Sequence, residues 1–172
     1  MIGSEDRILL LCYGNPGRLD DGLGAAFGCE IEERKIPGVT VNIDYQLAVE
    51  DAPLVAEHDA VLFVDAAVNG PEPFFFEEVD PELTVTFTSH SISPGSLLAM
   101  ARDFFSGETT GYALGIRGYD FNEFGEYLSA SAADNLKVAV AFLDPVLRSR
   151  SFAQAVRLMS RAVDNGGNLS LI

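Results

Sequence analysis

Two carboxylates and one imidazole follow segments with strand-like patterns, and they are the residues best suited to do chemistry. Asp21, next to Asp20, follows an apolar run and a glycine-bearing turn, Asp65 closes another apolar run, and His90 follows a third strand-like segment. Because the loops after parallel strands open on one edge of a sheet, we expect Asp21, Asp65 and His90 to converge. Two oxygens and one nitrogen suit a divalent transition metal whose remaining positions go to water or substrate. The sequence therefore predicts a catalytic, metal-contacting set at this edge.

Each of these residues also has a purely structural interpretation. Asp20 suits a helix cap or a loop-orienting role, and Asp65 suits a turn at the end of its strand. His90 fits a turn, and His58 fits a solvent-facing position or one that complements the dipole of a short helix. Alternatively, Asp21 and Asp65 form an acid pair that works on water, as in an aspartic-type endopeptidase. The pattern by itself leaves these interpretations open.

Strand-like and helix-like segments alternate along the chain. Residues 8–12 are a continuous apolar run, typical of a strand that is buried on both faces. Further strands are predicted at residues 39–45, 60–65, 83–88 and 112–117, with a strand or extended arm at residues 74–79. Helices are predicted at residues 21–35, within 46–57, at 94–105 with Ser93 as cap, at 129–143 where Pro145 ends the helix, and at 152–163.

This alternation predicts an α/β fold, a three-layer α/β/α sandwich around a mainly parallel twisted sheet of about five strands. No helix separates residues 74–79 from residues 83–88, so we expect one antiparallel edge strand or hairpin there. Residues 74–76 are three consecutive phenylalanines, which suit either a docking patch or alternate burial in the core. Residues 120–127 predict an irregular acidic loop.

Composition limits the class of partner. The 172 residues most simply form one domain, with residues 165–172 as a loose tail. The net charge of −15 disfavours nucleic acid and membrane surfaces, and it suits cations or a partner with a basic patch. Cys12 and Cys29 lack the C-x-x-C spacing of a metal or redox site, and the opening residues lack a signal-peptide pattern. We expect a cytoplasmic protein.

Other catalytic classes find little support. The chain contains neither G-x-G-x-x-G nor a P-loop motif, which disfavours nucleotide binding, and no G-x-S-x-G elbow presents a serine nucleophile. Cys12 lies inside a predicted strand, where it suits packing better than attack. No residue stands out as a covalent nucleophile.

Four motifs in series resemble the nickel-iron hydrogenase maturation endopeptidases. G-N-P-G-R-L-D-D-G-L-G at residues 14–24 resembles the family's G-N-x-L-x-x-D-[DE]-x-x-G signature. The likeness continues with F-V-D-A at 63–66, S-H-S-I-S-P-G-S-L-L at 89–98 and G-I-R-G-Y-D-F-x-E-F-G-E-Y-L-S at 115–129. It covers residues 8–142 in the family's order.

The resemblance implies a protease that removes a C-terminal peptide from the precursor of a hydrogenase large subunit after nickel has been loaded. The family's nickel-contacting positions correspond to Asp21, Asp65 and His90, the residues that the strand-end argument selects. We expect the nickel to be carried by the substrate and bound transiently, and we expect the protease to be a monomer. Only a loaded precursor would then dock tightly.

Two alternatives remain beside this interpretation. Pro16 and Gly17 depart from the family pattern, and the resulting G-N-P-G also resembles the opening of peptidyl-tRNA hydrolases, which share a related architecture. The acidic charge opposes tRNA binding, because such an enzyme needs a basic face for phosphates. A non-catalytic chaperone could use Asp21, Asp65 and His90 to sense nickel.

Overall fold

The computed structural model describes residues 6–82 and 92–164, and the strands in these ranges form one sheet. The strands are β1 (Ile8–Tyr13), β2 (Val39–Asp44), β3 (Ala60–Ala67), β4 (Phe74–Val79) and β5 (Thr110–Arg117). Their order is β2-β1-β3-β5-β4, and only β4 is antiparallel to its neighbour among them. The predicted five-stranded, mainly parallel sheet with one antiparallel strand is confirmed. The strand predicted at residues 83–88 lies outside the described residues.

Helices cover both faces of this sheet. They are α1 (Leu23–Glu33), α2 (Ala52–Ala56), α3 (Pro94–Phe105), α4 (Ala130–Ser149) and α5 (Phe152–Asp164). The apolar run of β1 alternates between two cores, as expected of a central strand. Ile8, Leu10 and Cys12 join the core beneath α1, α4 and α5, whereas Leu9 and Leu11 join the core beneath α2 and α3. The predicted three-layer sandwich is therefore confirmed.

Local signals place most helix starts correctly. Ser93 caps α3, since its Oγ accepts a hydrogen bond from the backbone N–H of Ser96 at 3.1 Å. Ser129 caps α4 in the same way through the N–H of Ala132 at 3.3 Å. No helix within the two described ranges is both long and apolar enough to cross a membrane.

The predicted end of α4 at Pro145 is wrong, because the helix continues to Ser149. Proline removes one helical hydrogen bond and strains the preceding turn, at a cost of about 3 kcal/mol. Pro145 lies on the exposed face, while Leu143, Val146 and Leu147 around it are buried. Burying each of these side chains contributes roughly 1.5–3 kcal/mol, which outweighs the proline penalty.

The phenylalanines of β4 are core residues. Phe74 is 1% exposed and Phe76 is 3% exposed, and both rings pack near Phe142 of α4. Phe75, on the other face, is half-buried. The alternate burial expected of a strand is confirmed, and the suggestion of a docking patch here is wrong.

Candidate functional site

The turn after β1 is built around the carboxylate of Asp21. Gly14 adopts a φ of +130°, and a Cβ there would clash with the carbonyl oxygen of Asp21. The backbone N–H of Asn15 donates to Asp21 Oδ2 at 3.0 Å, and the Asn15 side chain accepts from the N–H of Gly17 at 2.9 Å. The glycine-bearing turn thus holds Asp21 half-buried at the carboxyl end of β1.

The sequence pattern predicted that the first helix begins at Asp21, and this prediction is wrong. Residues Leu19–Gly22 form a short 3-10 turn, and α1 starts only at Leu23. The chain takes this detour because Leu19 has a positive φ of 50° and the side chain of Asp20 is drawn into the interior. The two adjacent carboxylates therefore point into different surroundings.

Asp65 lies on β3, directly beside β1 in the sheet. β3 continues past Asp65 to Ala67, because Asp65 pairs with Gly115 and Ala67 pairs with Arg117 of β5. The prediction that the strand ends at Asp65 is therefore wrong by two residues. Its carboxylate accepts a hydrogen bond from the backbone N–H of Ala66 at 2.7 Å and is half-buried.

The charge of Asp21 acts on Asp65, which lies on the strand next to β1. Burial raises the pKa of Asp65 to about 6, the bond from Ala66 opposes the rise, and the charge of Asp21 adds to it. A carboxylate with such a pKa is a better proton acceptor near neutral pH than an ordinary aspartate. Close approach of α1 to the sheet is possible because residue 24 is glycine, where a Cβ would lie 2.7 Å from the carbonyl oxygen of Val64.

Tyr13 is a neighbour of this pair that the sequence analysis did not select. Burial raises the pKa of the Tyr13 phenol, and the negative charge of Asp65 raises it further. The phenol therefore stays protonated beside the carboxylates at neutral pH. Its position, as the last residue of β1 before Gly14, is the sequence signal that could have identified it.

Asp20 has a different task. It is fully buried and accepts four hydrogen bonds, from the backbone N–H groups of Tyr119, Asp120 and Ser129 and from the Ser129 hydroxyl, at 2.7–3.0 Å. Burial alone raises the pKa of Asp20, but these bonds outweigh burial and lower the pKa below its ordinary value. Asp20 thus connects the site turn to the start of α4. The loop-orienting interpretation explains its contacts.

The structure describes one of the two histidines, His58. His58 lies half-buried at the end of α2, and its Nδ1 donates to the carbonyl oxygen of Leu54 at 2.8 Å, so it completes a helix end as the structural interpretation expected. His90 lies outside the described residues, so its place in the metal-contacting set stays a prediction. Among residues 6–82 and 92–164, no group of three His, Cys, Asp or Glu side chains could hold a metal ion.

Cys12 takes no part in the chemistry of this edge. It is 1% exposed in β1, and burial together with the nearby Cys29 raises the pKa of its thiol. A thiol that stays protonated is a poor nucleophile.

Solved hydrogenase maturation proteases share this fold. The HycI protease of Thermococcus kodakarensis KOD1 matches 84% of this chain and 94% of its own, with a TM-score of 0.66 and 21% identity. The maturating endopeptidase HybD of E. coli matches 83% of this chain and 92% of its own, with a TM-score of 0.66 and 22% identity. The endopeptidase HycI of E. coli gives a TM-score of 0.60 at 21% identity, over 81% of this chain and 90% of its own.

The fold implied by the motif resemblance is therefore confirmed. No family model matches the sequence, and no curated protein matches it either. At identities of 21–22% the structural likeness concerns the fold, and the chemistry has to be argued from the residues of this chain.

Proposed function

We propose that this protein is an endopeptidase that removes a C-terminal peptide from the nickel-loaded precursor of a nickel-iron hydrogenase large subunit. The observation that carries the proposal is the placement of Asp21 after β1 and of Asp65 on the neighbouring parallel strand β3, both toward the carboxyl edge of the sheet, where the charge of Asp21 adds to the raised pKa of Asp65. The fold supports it, since the similar structures are hydrogenase maturation proteases. The four motifs run in the order expected for that family.

The donor set fits a divalent metal that arrives with the substrate. Asp21 and Asp65 are both half-buried, so each keeps a face open to a guest while solvent competes only partly. Oxygen ligands from two carboxylates suit a hard or borderline cation, and His90 would add one nitrogen. The precursor supplies the nickel, and this chain completes its coordination. A precursor without nickel would leave two carboxylates facing each other without compensation.

Residues of this chain can also move the proton that hydrolysis requires. Peptide cleavage adds water across the C–N bond, so a base must take a proton from the water and the leaving amine must gain one. Asp65, whose pKa is about 6 in the metal-free protein, is a stronger base there than an ordinary aspartate. It would accept the proton of the water and, once protonated, donate that proton to the leaving amine. Nickel, when bound, supplies Lewis acidity toward the scissile carbonyl. Asp21, through its bond from Asn15, holds the turn that faces this reaction.

The test is mass spectrometry of the cognate precursor, with and without nickel, after incubation with this protein. We expect the nickel-loaded precursor alone to lose its C-terminal peptide. Asp21→Asn, Asp65→Asn and His90→Ala should each reduce the cleavage rate by at least about 100-fold, as removal of one catalytic or ligand group commonly does. Asp103→Asn is the matched control, because Asp103 is exposed and pairs with Arg102 at the far end of α3.

Three outcomes would reject the proposal. Cleavage that is undiminished by the Asp21 and His90 substitutions would show that these residues do not form the catalytic site. A nickel-dependent complex whose precursor never changes mass would identify a nickel-sensing chaperone in place of a protease. Release of a peptide from peptidyl-tRNA would identify the protein as a peptidyl-tRNA hydrolase.

A further inference from the structure

In the structure the irregular acidic loop includes residue 119, one more than predicted, and this loop at residues 119–127, called the acidic loop below, exposes aromatic rings that contribute little to the core. Phe124 is 86% exposed and Tyr127 is 66% exposed, although rings of this size usually bury much of their surface. They lie beside the site turn, because the backbone of Gly125 bonds to Gly17 and to Leu19 at 2.9 and 3.0 Å. Neighbouring exposed rings of this kind mark an interaction surface.

This loop is held in place despite its irregular backbone. Asp20 bonds to both ends of the loop. The N–H groups of Tyr119 and Asp120 donate to it at the start of the loop, and that of Ser129 donates to it just after the end. Arg18 forms an isolated bridge with Gly125. A partner that binds such a preorganised surface loses less conformational entropy than one that must first order a loop.

Charge indicates what the acidic loop would bind. Asp120, Glu123 and Glu126 are exposed, and none of them enters an ion pair with another of the described residues. The nearby arginines contact rings of the loop and, within the described ranges, form no ion pair with these carboxylates: the Arg18 guanidinium lies 5.8 Å from the Phe124 ring centre, and that of Arg117 lies 5.2 Å from the Tyr119 ring centre. The Arg18 contact also demonstrates that the Phe124 ring accepts a guanidinium on its face.

We propose that the acidic loop docks a basic segment of the substrate precursor, one that carries lysine or arginine next to an apolar or aromatic side chain. The inference rests on the proposed function, since it names the part of the substrate that this protease would hold. Exposed carboxylates steer the cations, and Phe124 and Tyr127 receive the apolar body of the segment. Gly125 bonds to Gly17 and Leu19, so a segment bound here lies beside the turn that holds Asp21.

The experiment compares variants of the full-length protein with the nickel-loaded precursor. Phe124→Ala removes the most exposed ring, and the double variant Glu123→Gln/Glu126→Gln removes charge. Phe104→Ala is the matched control, because Phe104 is 70% exposed in the last turn of α3, ahead of the amino end of β5. KM and kcat are measured by precursor cleavage, and Kd is measured by biolayer interferometry at low and high ionic strength.

We expect Phe124→Ala to raise Kd and KM by about 10-fold with kcat unchanged, as truncation of an interface aromatic does. The double variant should flatten the dependence of Kd on ionic strength, because fewer charges remain to be screened. Phe104→Ala should leave both constants within about twofold of the wild type, since scattered exposed rings contribute little. Thermal melting checks that the variants stay folded.

The possible failures are distinguishable. Cleavage by all variants with wild-type KM, or an equal loss in Phe104→Ala, overturns the docking inference and leaves the protease proposal standing. Phe124-dependent binding of a precursor that never changes mass rejects the protease and keeps the docking surface. Dimers in sedimentation velocity that Phe124→Ala abolishes would assign the surface to a second copy of this chain and overturn the inference. A wild-type protein that neither binds nor cleaves overturns both.

Discussion

Asp20 and Asp65 are carboxylates at the same edge of the sheet, and their surroundings act on them in opposite directions. Asp20 is fully buried, yet four hydrogen bonds lower its pKa. Asp65 is half-buried, accepts one bond from its own neighbour Ala66, and has a pKa of about 6. Burial alone therefore does not decide the charge state of an aspartate. The number of N–H and O–H donors aimed at it does.

The comparison separates a structural carboxylate from a chemically available one. The groups that donate hydrogen bonds to Asp20 lie about a hundred residues away in the chain. These bonds connect the acidic loop and α4 to the site turn. Among the described residues, Asp65 accepts the bond from Ala66 alone, so one of its oxygens keeps acceptor capacity for a guest. Its environment favours either a proton or a cation, and both states remove the repulsion from Asp21.

The largest test of this contrast is the stability of Asp20→Ala. The substitution leaves three partly buried N–H donors without their acceptor, so we expect a loss of about 3–5 kcal/mol in the free energy of unfolding. Urea denaturation measures it. Asp65→Ala is the control, with an expected change of about 1 kcal/mol or less, because within residues 6–82 and 92–164 Asp65 accepts a single, local bond. Equal losses in the two variants would contradict the distinction.

Ser129→Ala removes one of the four hydrogen bonds to Asp20, so its effect should be smaller than that of Asp20→Ala. The Ser129 hydroxyl donates to Asp20 at 2.7 Å and also caps α4, so its removal should cost about 2 kcal/mol in unfolding free energy. Ser93→Ala removes a comparable cap on α3 whose hydroxyl donates to Ser96 Oγ, where that of Ser129 donates to a carboxylate, and about 1 kcal/mol is expected. Differential scanning calorimetry measures the loss of unfolding free energy in both variants. A larger effect at Ser93 would show that the bond to Asp20 adds nothing.

The pH dependence of stability should differ in sign between the two aspartates. Asp65 has a raised pKa in the folded protein, so the folded state binds the proton more tightly and stability falls as pH rises from about 4 to about 6. Asp65→Asn should remove this decline, worth about 1 kcal/mol after solvent screening. Asp20, with a lowered pKa, contributes stability above about pH 4 that is lost as pH falls further. Urea titrations of the metal-free protein at several pH values measure both slopes.

The smallest effect concerns the coupling between Asp21 and Asp65. Removing the charge in Asp21→Asn should lower the pKa of Asp65 from about 6 by a few tenths of a pH unit, and burial should keep it above its ordinary value. Carbon-13 NMR titration of the Asp65 carboxyl in the metal-free protein follows the midpoint. Asp103→Asn serves as the control for a distant charge. An unchanged midpoint in Asp21→Asn would place the two carboxylates too far apart for a shared ion.

The sequence by itself determined the alternation of strands and helices, the capped starts of α3 and α4, and the placement of Asp21 and Asp65 toward the carboxyl edge of the sheet, although not the residue at which β3 ends. These features depend on local periodicity, on serine caps and on glycine turns, all of which act within a few residues. The antiparallel edge strand followed from the missing helix between two strand-like runs.

Only the tertiary structure decided which of two adjacent aspartates is buried and which faces the site. The answer depends on Tyr119, Asp120 and Ser129, whose N–H groups reach Asp20 across about a hundred residues of chain. The same holds for the continuation of α4 through Pro145, where buried neighbours outweigh a local penalty. Pairing and burial are energies between distant segments, so no local pattern contains them.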